Sequence, residues 1–266
     1  MENKIFTDQL GRKVAIPFPP KRIVSVVPSQ TELLHSLGLD EEVCGITKFC
    51  IHPAEWFRTK TRIGGTKQLN IEQITALQPD LIIANKEENQ KEQVEALMQH
   101  FPVWVSDINT LEDACAMIDD VGGITGRVEE ARRLCLEIQQ QFNKLLPIPP
   151  IPTAYFIWRN PWMVAGGDTF IHQMMQHCGF QNVFAQTPRY PEISPDMLSE
   201  TKLILLSSEP YPFKEKHIEE ISKFAPRATI HLVDGEMFSW YGSRLLEAPA
   251  YFNELIQTLR HRQSII

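Results

Sequence analysis

Aromatic and basic side chains recur directly after the apolar runs of this sequence that are typical of buried strands. Parallel strands place their carboxyl ends at one edge of a sheet, where open α/β sheets bind ligands. The candidates that these loops supply are Phe49, Cys50, His52, Thr66, Lys67, Asn85, Trp158, Arg159, Tyr190, Trp240, Tyr241 and Arg244. Aromatic faces hold a large planar ligand, and Lys or Arg holds an anionic one. The set favours a bulky small molecule, although single aromatic residues also serve simply to pack loops.

Cys50 and His52 are the two side chains of this set that could bind a metal ion directly, since thiolate and imidazole suit soft or borderline metals. No further His, Asp or Glu lies near them at a spacing typical of metal ligands. His172 and His177 are five residues apart, so they do not share a helix face. We therefore expect no site for a bare metal ion, while ligation of a chelated metal by Cys50 or His52 stays open.

The sequence lacks three motifs that are typical of enzyme active sites. The sequence contains no GxSxG, HExxH or GxxxxGK[ST] motif, and the turn around Thr66 lacks the spacing of a phosphate-binding loop. We expect a binding protein rather than an enzyme. The alternative is a cytoplasmic chelatase-like or tetrapyrrole-handling protein.

The elements that must position these side chains alternate between strand and helix in the first half of the chain. Predicted strands cover residues 22–27, 43–46, 80–84 and 103–105, and predicted helices cover 30–37, 71–77, 88–99 and 111–121. Ser29 is placed to cap the first helix, with Glu32 completing a capping box. This alternation predicts a doubly wound parallel α/β lobe.

A long amphipathic helix is predicted over residues 127–146, followed by a Pro-rich stretch that ends it. The second half then returns to strands at 153–157, 163–165, 203–206 and 229–233, with helices at 169–177, 214–224 and 243–262. We therefore predict two doubly wound α/β lobes joined by one long helix, with a ligand cleft between them. The predicted boundaries are 1–122 for the first lobe, 123–150 for the linking helix and its Pro-rich exit, and 151–266 for the second lobe.

Composition narrows the class of partner. The chain has 266 residues, a normal 43% of apolar residues and a net charge of −7, which argues against nucleic acid as a partner. The five cysteines form no CxxC motif, and three lie on apolar helical stripes, so we expect them to pack as small hydrophobes. No basic segment followed by an apolar one begins the sequence, so no export signal is visible. Either the protein stays in the cytoplasm or the sequence starts after a removed leader.

Five segments occur together in an order that resembles a known family. They are RIVSVVPSQTELLHSLGL, GITKFCIHP, IGGTKQLNIEQITALQPDLIIA, AGGDTFIHQMMQHCGFQNVF and VDGEMFSWYGSRLLEAPAYF. The set resembles the helical-backbone solute-binding proteins of ABC importers, which include vitamin B12 and ferric-siderophore binders. The resemblance covers the chain from about residue 11 to residue 259.

The resemblance implies a monomer outside the cytoplasm that delivers a metal chelate to an ABC permease and ATPase. It implies that Glu72 and Asp196 dock on arginines of the permease. Thr66, Asn85 and Tyr190 stand where the vitamin B12 branch carries aromatic residues, and only Tyr190 keeps that character. The expected ligand is therefore a corrinoid, a heme or a ferric siderophore, with no covalently bound cofactor.

Overall fold

The computed structural model describes residues 2–261, which divide into two compact units. The first contains the described residues up to Ile108, together with Glu112–Ile138 and Tyr241–Arg244. The second contains Asn109–Leu111, Gln139–Trp240 and the described residues from Leu245 onward. The lobe boundaries at residues 122 and 150 stay a prediction.

The first unit is built on a five-stranded parallel sheet with the order β5-β4-β3-β8-β9. The strands of this unit are β1 (Glu2–Thr7), β2 (Lys13–Phe18), β3 (Ile23–Ser25), β4 (Val43–Ile46), β5 (Thr61–Arg62), β6 (Gly64–Gly65), β7 (Gln68–Leu69), β8 (Leu81–Asn85) and β9 (Val103–Ser106). Strands β3, β8 and β9 are buried along their whole length, as strands covered on both faces must be. Strands β1 and β2 form an antiparallel hairpin that the sequence did not predict.

The helices that lie wholly or mostly in this unit follow the predicted order, except that α2 was not predicted. They are α1 (Pro28–Ser36), α2 (Ala54–Thr59), α3 (Ile71–Leu77), α4 (Lys91–Met98), α5 (Leu111–Thr125) and α6 (Val128–Phe142). Helix α6 is shorter than the predicted helix over residues 127–146. The prolines that follow it cannot continue a helix, and the backbone N–H of Leu146 already donates to Asn253 Oδ1 at 2.9 Å.

The capping box predicted for α1 is wrong. Helix α1 begins at Pro28 after Val27, and no side chain caps it. Proline suits the first helical position because its missing N–H would lack a helical partner there anyway. The carboxylate of Glu32 instead accepts two hydrogen bonds from Arg244, at 2.7 and 3.1 Å.

Helices α5 and α6 approach each other closely at Gly122. A Cβ atom on Gly122 would lie 2.4 Å from Ala131 Cβ and 2.9 Å from the carbonyl oxygen of Arg127. The next residue, Gly123, also lies in α5, but a Cβ there would meet nothing within 4 Å. Alanine substitutions at the two glycines therefore distinguish the effect of close packing on stability from the effect of helix propensity.

We expect Gly122→Ala to lower the free energy of unfolding by about 1–3 kcal/mol because the added methyl group forces α5 and α6 apart. Gly123→Ala is the matched control and should leave stability unchanged or raise it by up to about 1 kcal/mol. Urea unfolding followed by circular dichroism measures both. Equal stability of the two variants would contradict the close approach.

The strands of the second unit are β10 (Ile151–Trp158), β11 (Met163–Val164), β12 (Phe180–Asn182), β13 (Leu203–Ser207) and β14 (Thr229–Val233). They form a mixed sheet in which β10, β13 and β14 run parallel and β14 lies at an edge. Its helices are α7 (Phe170–His177), α8 (Glu215–Ser222), α9 (Glu236–Ser239) and α10 (Ala248–His261), with a 3-10 turn at Pro195–Leu198. The helix predicted over 243–262 is a 3-10 turn, Ser243–Leu246, followed by α10, and its last predicted residue lies outside the described residues.

These elements confirm the α/β fold class, in which parallel strands alternate with helices along the chain. Within residues 2–261, the helices are too short or too polar to cross a lipid bilayer.

Candidate functional site

The strand order of the first sheet identifies the edge where a ligand is expected. The chain runs outward from β3 through β4 to β5, then returns to the other side of β3 for β8 and β9. The direction of winding therefore reverses between β3 and β8. Crevices at such reversals, outside the carboxyl ends of the strands, are the usual binding sites of open α/β sheets.

Asn85 ends β8 at this reversal and is buried. Its Oδ1 accepts hydrogen bonds from the backbone N–H groups of Glu87 and Glu88 at 2.8 and 2.9 Å, and its Nδ2 donates to Ser106 Oγ at 2.9 Å. Asn89 Oδ1 accepts a hydrogen bond from the backbone N–H of Asn85, and Asn89 Nδ2 donates one to the carbonyl oxygen of Thr66. Because its polar atoms are used internally, Asn85 shapes the loop after β8.

The loop after β4 places apolar side chains in solvent. Phe49 is 51% exposed and Ile51 is 46% exposed. Gly65 lies against the Phe49 ring, since a Cβ there would be 3.0 Å from Phe49 Cε2. The Nζ atom of Lys48 lies 5.1 Å from the centroid of the same ring. An exposed aromatic ring beside an exposed isoleucine is the kind of apolar surface that marks an interaction site.

Exposed basic side chains lie in the loops after β6 and β8 of the same unit. Lys67 is exposed and its Nζ donates to the carbonyl oxygen of Glu87 at 2.6 Å. Lys86 is exposed and forms an ion pair with Asp107 at 2.6 Å. Thr66, in the same hairpin as Lys67, is partly exposed. These contacts position two ammonium groups without burying them.

Cys50 lies in the core, in contrast to its neighbours Phe49 and Ile51. Its Sγ is 3.1 Å from the hydroxyl oxygens of Thr31 and Thr47, and burial raises the pKa of the thiol. A protonated thiol with no accessible surface cannot reach a ligand in this structure. His52 is partly exposed in the same loop. Among residues 2–261, no three His, Cys, Asp or Glu side chains are grouped to hold a metal ion.

The second sheet ends in its own set of aromatic and charged side chains. Trp158, the last residue of β10, is 40% exposed and packs edge-on against Tyr211 with ring centroids 5.8 Å apart. The next residue, Arg159, donates two hydrogen bonds of 2.9 Å to the carboxylate of Glu220. Trp162 packs against the hydrophobic core beside Phe156 and Phe213, so it contributes to packing.

Glu209, which follows β13, is a residue that sequence reasoning missed. Its Oε1 accepts hydrogen bonds from Ser239 Oγ at 2.5 Å and Trp240 Nε1 at 3.0 Å. Gly235 makes room for it, since a Cβ there would lie 2.6 Å from Glu209 Cγ. Burial is the main cause that raises the pKa of Glu209. Glu209 lies two residues after the end of β13, close enough to a buried strand that a search of strand ends for polar or aromatic residues, as for Trp158 and Arg159, would have included it.

Because of Glu209, the free energy of unfolding of the protein should fall as the pH rises. Its folded pKa lies above the ordinary value of 4.5, so the folded protein keeps a proton that the unfolded chain has lost. We expect Glu209→Gln, whose amide oxygen can accept the same two hydrogen bonds, to flatten this dependence. Urea unfolding from about pH 4 to about pH 8 measures the slope, and the exposed Glu219→Gln is the control. An unchanged slope in Glu209→Gln would contradict the assignment.

The remaining candidates of the second half are mostly held by protein contacts. Trp240 is buried against Glu209, and Tyr241 is buried in the first unit. Arg244, also in the first unit, forms the ion pair with Glu32. Tyr190 is partly exposed, with the guanidinium of Arg189 over its ring at 5.7 Å.

The two carboxylates expected to dock on a permease are both exposed. Glu72 is the second residue of α3, whose first turn is capped by Asn70 Oδ1 accepting from Gln73 N at 3.0 Å. Asp196 lies in the 3-10 turn Pro195–Leu198, where a hydrogen bond from Ser194 lowers the pKa of the carboxyl. Each precedes the next parallel strand of its sheet, β8 or β13. Met197, 47% exposed, adds apolar surface beside Asp196.

Several known proteins are similar to this chain in sequence or in fold. A vitamin B12-binding protein from Pectobacterium carotovorum is 25% identical over 241 residues, which cover 86% of each chain. The structure of a periplasmic heme-binding protein from Pseudomonas aeruginosa has a TM-score of 0.74 at 20% identity, covering 89% of this chain and 92% of that one. An Fe³⁺-hydroxamate transport-system structure from Saccharomonospora viridis has a TM-score of 0.72 at 16% identity, covering 95% and 98%. These structures confirm the fold class.

A family model described as periplasmic binding protein matches residues 23–207, more than half of the chain. This match confirms the resemblance inferred from the five segments, and it confirms a binding protein rather than an enzyme. The chain therefore belongs to the periplasmic binding protein family.

Proposed function

We propose that the chain is the solute-binding component of an ABC importer and that it binds an intact metal chelate outside the cytoplasmic membrane. The observation that carries the proposal is that each unit exposes an aromatic side chain near the carboxyl end of a parallel strand. Phe49 in the first unit and Trp158 in the second are both exposed at such an end. Family membership supports the transport role.

The exposed side chains contact the chelate in this proposal, and the buried ones hold their loops. Phe49 in the first unit and Trp158 in the second each offer an exposed aromatic face, and aromatic faces cover large planar ligands well. Lys67, Lys86 and Arg159 lie in the neighbouring loops and attract the carboxylate or phosphate groups of the chelate. Cys50, Asn85 and Trp240 act through the loops that they anchor.

The ligand class in this proposal is a corrinoid, a heme or a ferric siderophore. All three are bulky chelates that carry polar groups at their rim, so all three suit a protein that exposes both aromatic rings and cations in its strand-end loops. The relatives support the range, since one is named for vitamin B12, one for heme and one for Fe³⁺-hydroxamate. A permease and an ATPase complete the importer.

The test is thermal unfolding of the purified chain with cobalamin, cobinamide, heme and a ferric hydroxamate siderophore, each at about 100 times the Kd expected for a binder. A ligand at that ratio stabilises the folded state by about 2.7 kcal/mol, which raises the Tm by several degrees. The matching metal-free chelators are controls for non-specific stabilisation. Identical Tm values with and without every ligand would overturn the proposal.

A further inference from the structure

Two cysteines that the chelate site does not use lie side by side on neighbouring helices. Cys115 is on α5 and Cys135 is on α6, and both belong to the first unit. Cys135 Sγ lies 3.4 Å from the carbonyl oxygen of Cys115, so the two residues are in direct contact. The other three cysteines lie elsewhere: Cys44 in β4, Cys50 after β4, and Cys178 at the end of α7.

The approach of the two helices explains why these thiols meet. Gly122 packs against Ala131 two helical turns after Cys115 and one turn before Cys135, so the two pairs lie along one seam. A disulfide needs Cα atoms about 4.4–6.8 Å apart. Packed helices with larger side chains keep their axes about 8–10 Å apart. The missing side chain at Gly122 brings α5 and α6 closer together at this seam.

Both cysteines are buried but keep a small accessible surface. Cys115 is 8% exposed and Cys135 is 6% exposed, while Asp119, one turn after Cys115, is exposed. Cys135 Sγ lies 3.8 Å from Asp119 Oδ1. A small oxidant can therefore reach the sulfurs with a local side-chain movement.

We propose that Cys115 and Cys135 form a disulfide in the presence of a small-molecule disulfide oxidant such as oxidised glutathione, and that this bond fastens α5 to α6. The inference does not depend on which ligand the protein binds. The same bond is expected to persist in an oxidising compartment and to be reduced in a cytoplasmic one.

The chemistry is a pair of thiol–disulfide exchanges. The thiolate of Cys115 attacks one sulfur of oxidised glutathione, the S–S bond of glutathione breaks, and one glutathione thiolate leaves. The thiolate of Cys135 then attacks the Cys115 sulfur and expels the second glutathione thiolate. Two protein thiols lose two protons and two electrons in total, and oxidised glutathione becomes two thiols. The hydrogen bond from Cys135 lowers the pKa of Cys115, which suits Cys115 to the first attack.

The bond should stabilise the first unit. It closes a loop of about twenty residues, which by the chain-entropy model removes freedom from the unfolded chain and raises the Tm by about 5–10 °C. Dithiothreitol should reverse the shift.

The experiment equilibrates the whole chain with oxidised glutathione, blocks the remaining thiols, and maps peptides without reduction. We expect one disulfide, between Cys115 and Cys135, absent in Cys115→Ser and in Cys135→Ser and unchanged in Cys44→Ser. The wild-type map needs no variant, so a variant that fails to fold does not weaken it. Two free thiols, two separate glutathione adducts or a bond to a different cysteine would each overturn the proposal.

Discussion

Replacing Trp158 with alanine should weaken chelate binding by about tenfold to a hundredfold, because a truncated tryptophan in a binding surface costs about 1.4–2.8 kcal/mol. The side chain is 40% exposed at the end of β10, so its area is available to a ligand. Phe49→Ala should cost about tenfold for the same reason, since its ring is smaller. Titration calorimetry with the chelate that stabilises the protein measures both losses.

Leu136→Ala is the matched control for these two changes. Leu136 is 53% exposed on α6 and belongs to none of the loops that carry the proposed ligand contacts, so its removal should leave affinity within about twofold. Urea unfolding of all three variants separates a binding defect from a folding defect. An affinity for Trp158→Ala equal to that of Leu136→Ala would contradict the role of the exposed aromatic side chains.

The largest expected effect on transport comes from the two exposed carboxylates. The double variant Glu72→Ala with Asp196→Ala should abolish uptake of the chelate while its affinity stays within about twofold. Both side chains are exposed, and neither lies in the loops after β4, β6, β8 or β10 that carry the proposed ligand contacts. Uptake of labelled chelate by cells that contain the permease and ATPase measures the first quantity, and calorimetry measures the second.

Glu92→Ala with Glu219→Ala is the control for the loss of two negative charges. These residues are exposed on α4 and α8, one in each unit, and uptake should persist in this variant. Loss of ligand affinity in the Glu72 and Asp196 variant would contradict docking and would place these carboxylates at the ligand. Normal uptake in that variant would contradict docking as well.

The alternation of strands and helices could be predicted because buried parallel strands are continuous apolar runs, as in Leu81–Asn85 and Leu203–Ser207. The start of α1 could not, because the local pattern of Ser29 and Glu32 fits a capping box. The decisive partner, Arg244, lies more than two hundred residues away in sequence. Long-range ion pairs of this kind leave no local signal.

Candidate side chains could be placed after strand ends, but their exposure could not be predicted. Phe49 and Cys50 are adjacent in sequence, yet one is 51% exposed and the other is fully buried between two threonines. The position of a side chain in an irregular loop depends on contacts from other elements. Glu209 shows the reverse case, since its position after a buried run was visible in the sequence and its buried hydrogen bonds were not.

The central claim is that the protein binds an intact metal chelate, and co-elution tests it most directly. The chain is mixed with an excess of the stabilising chelate and passed through a gel-filtration column, and the metal and the organic chelator are quantified in the protein peak. We expect about one equivalent of metal and one of chelator per chain, with the chelate recovered chemically unchanged. Protein that elutes free of all the chelates, or that returns an altered chelate, would contradict it.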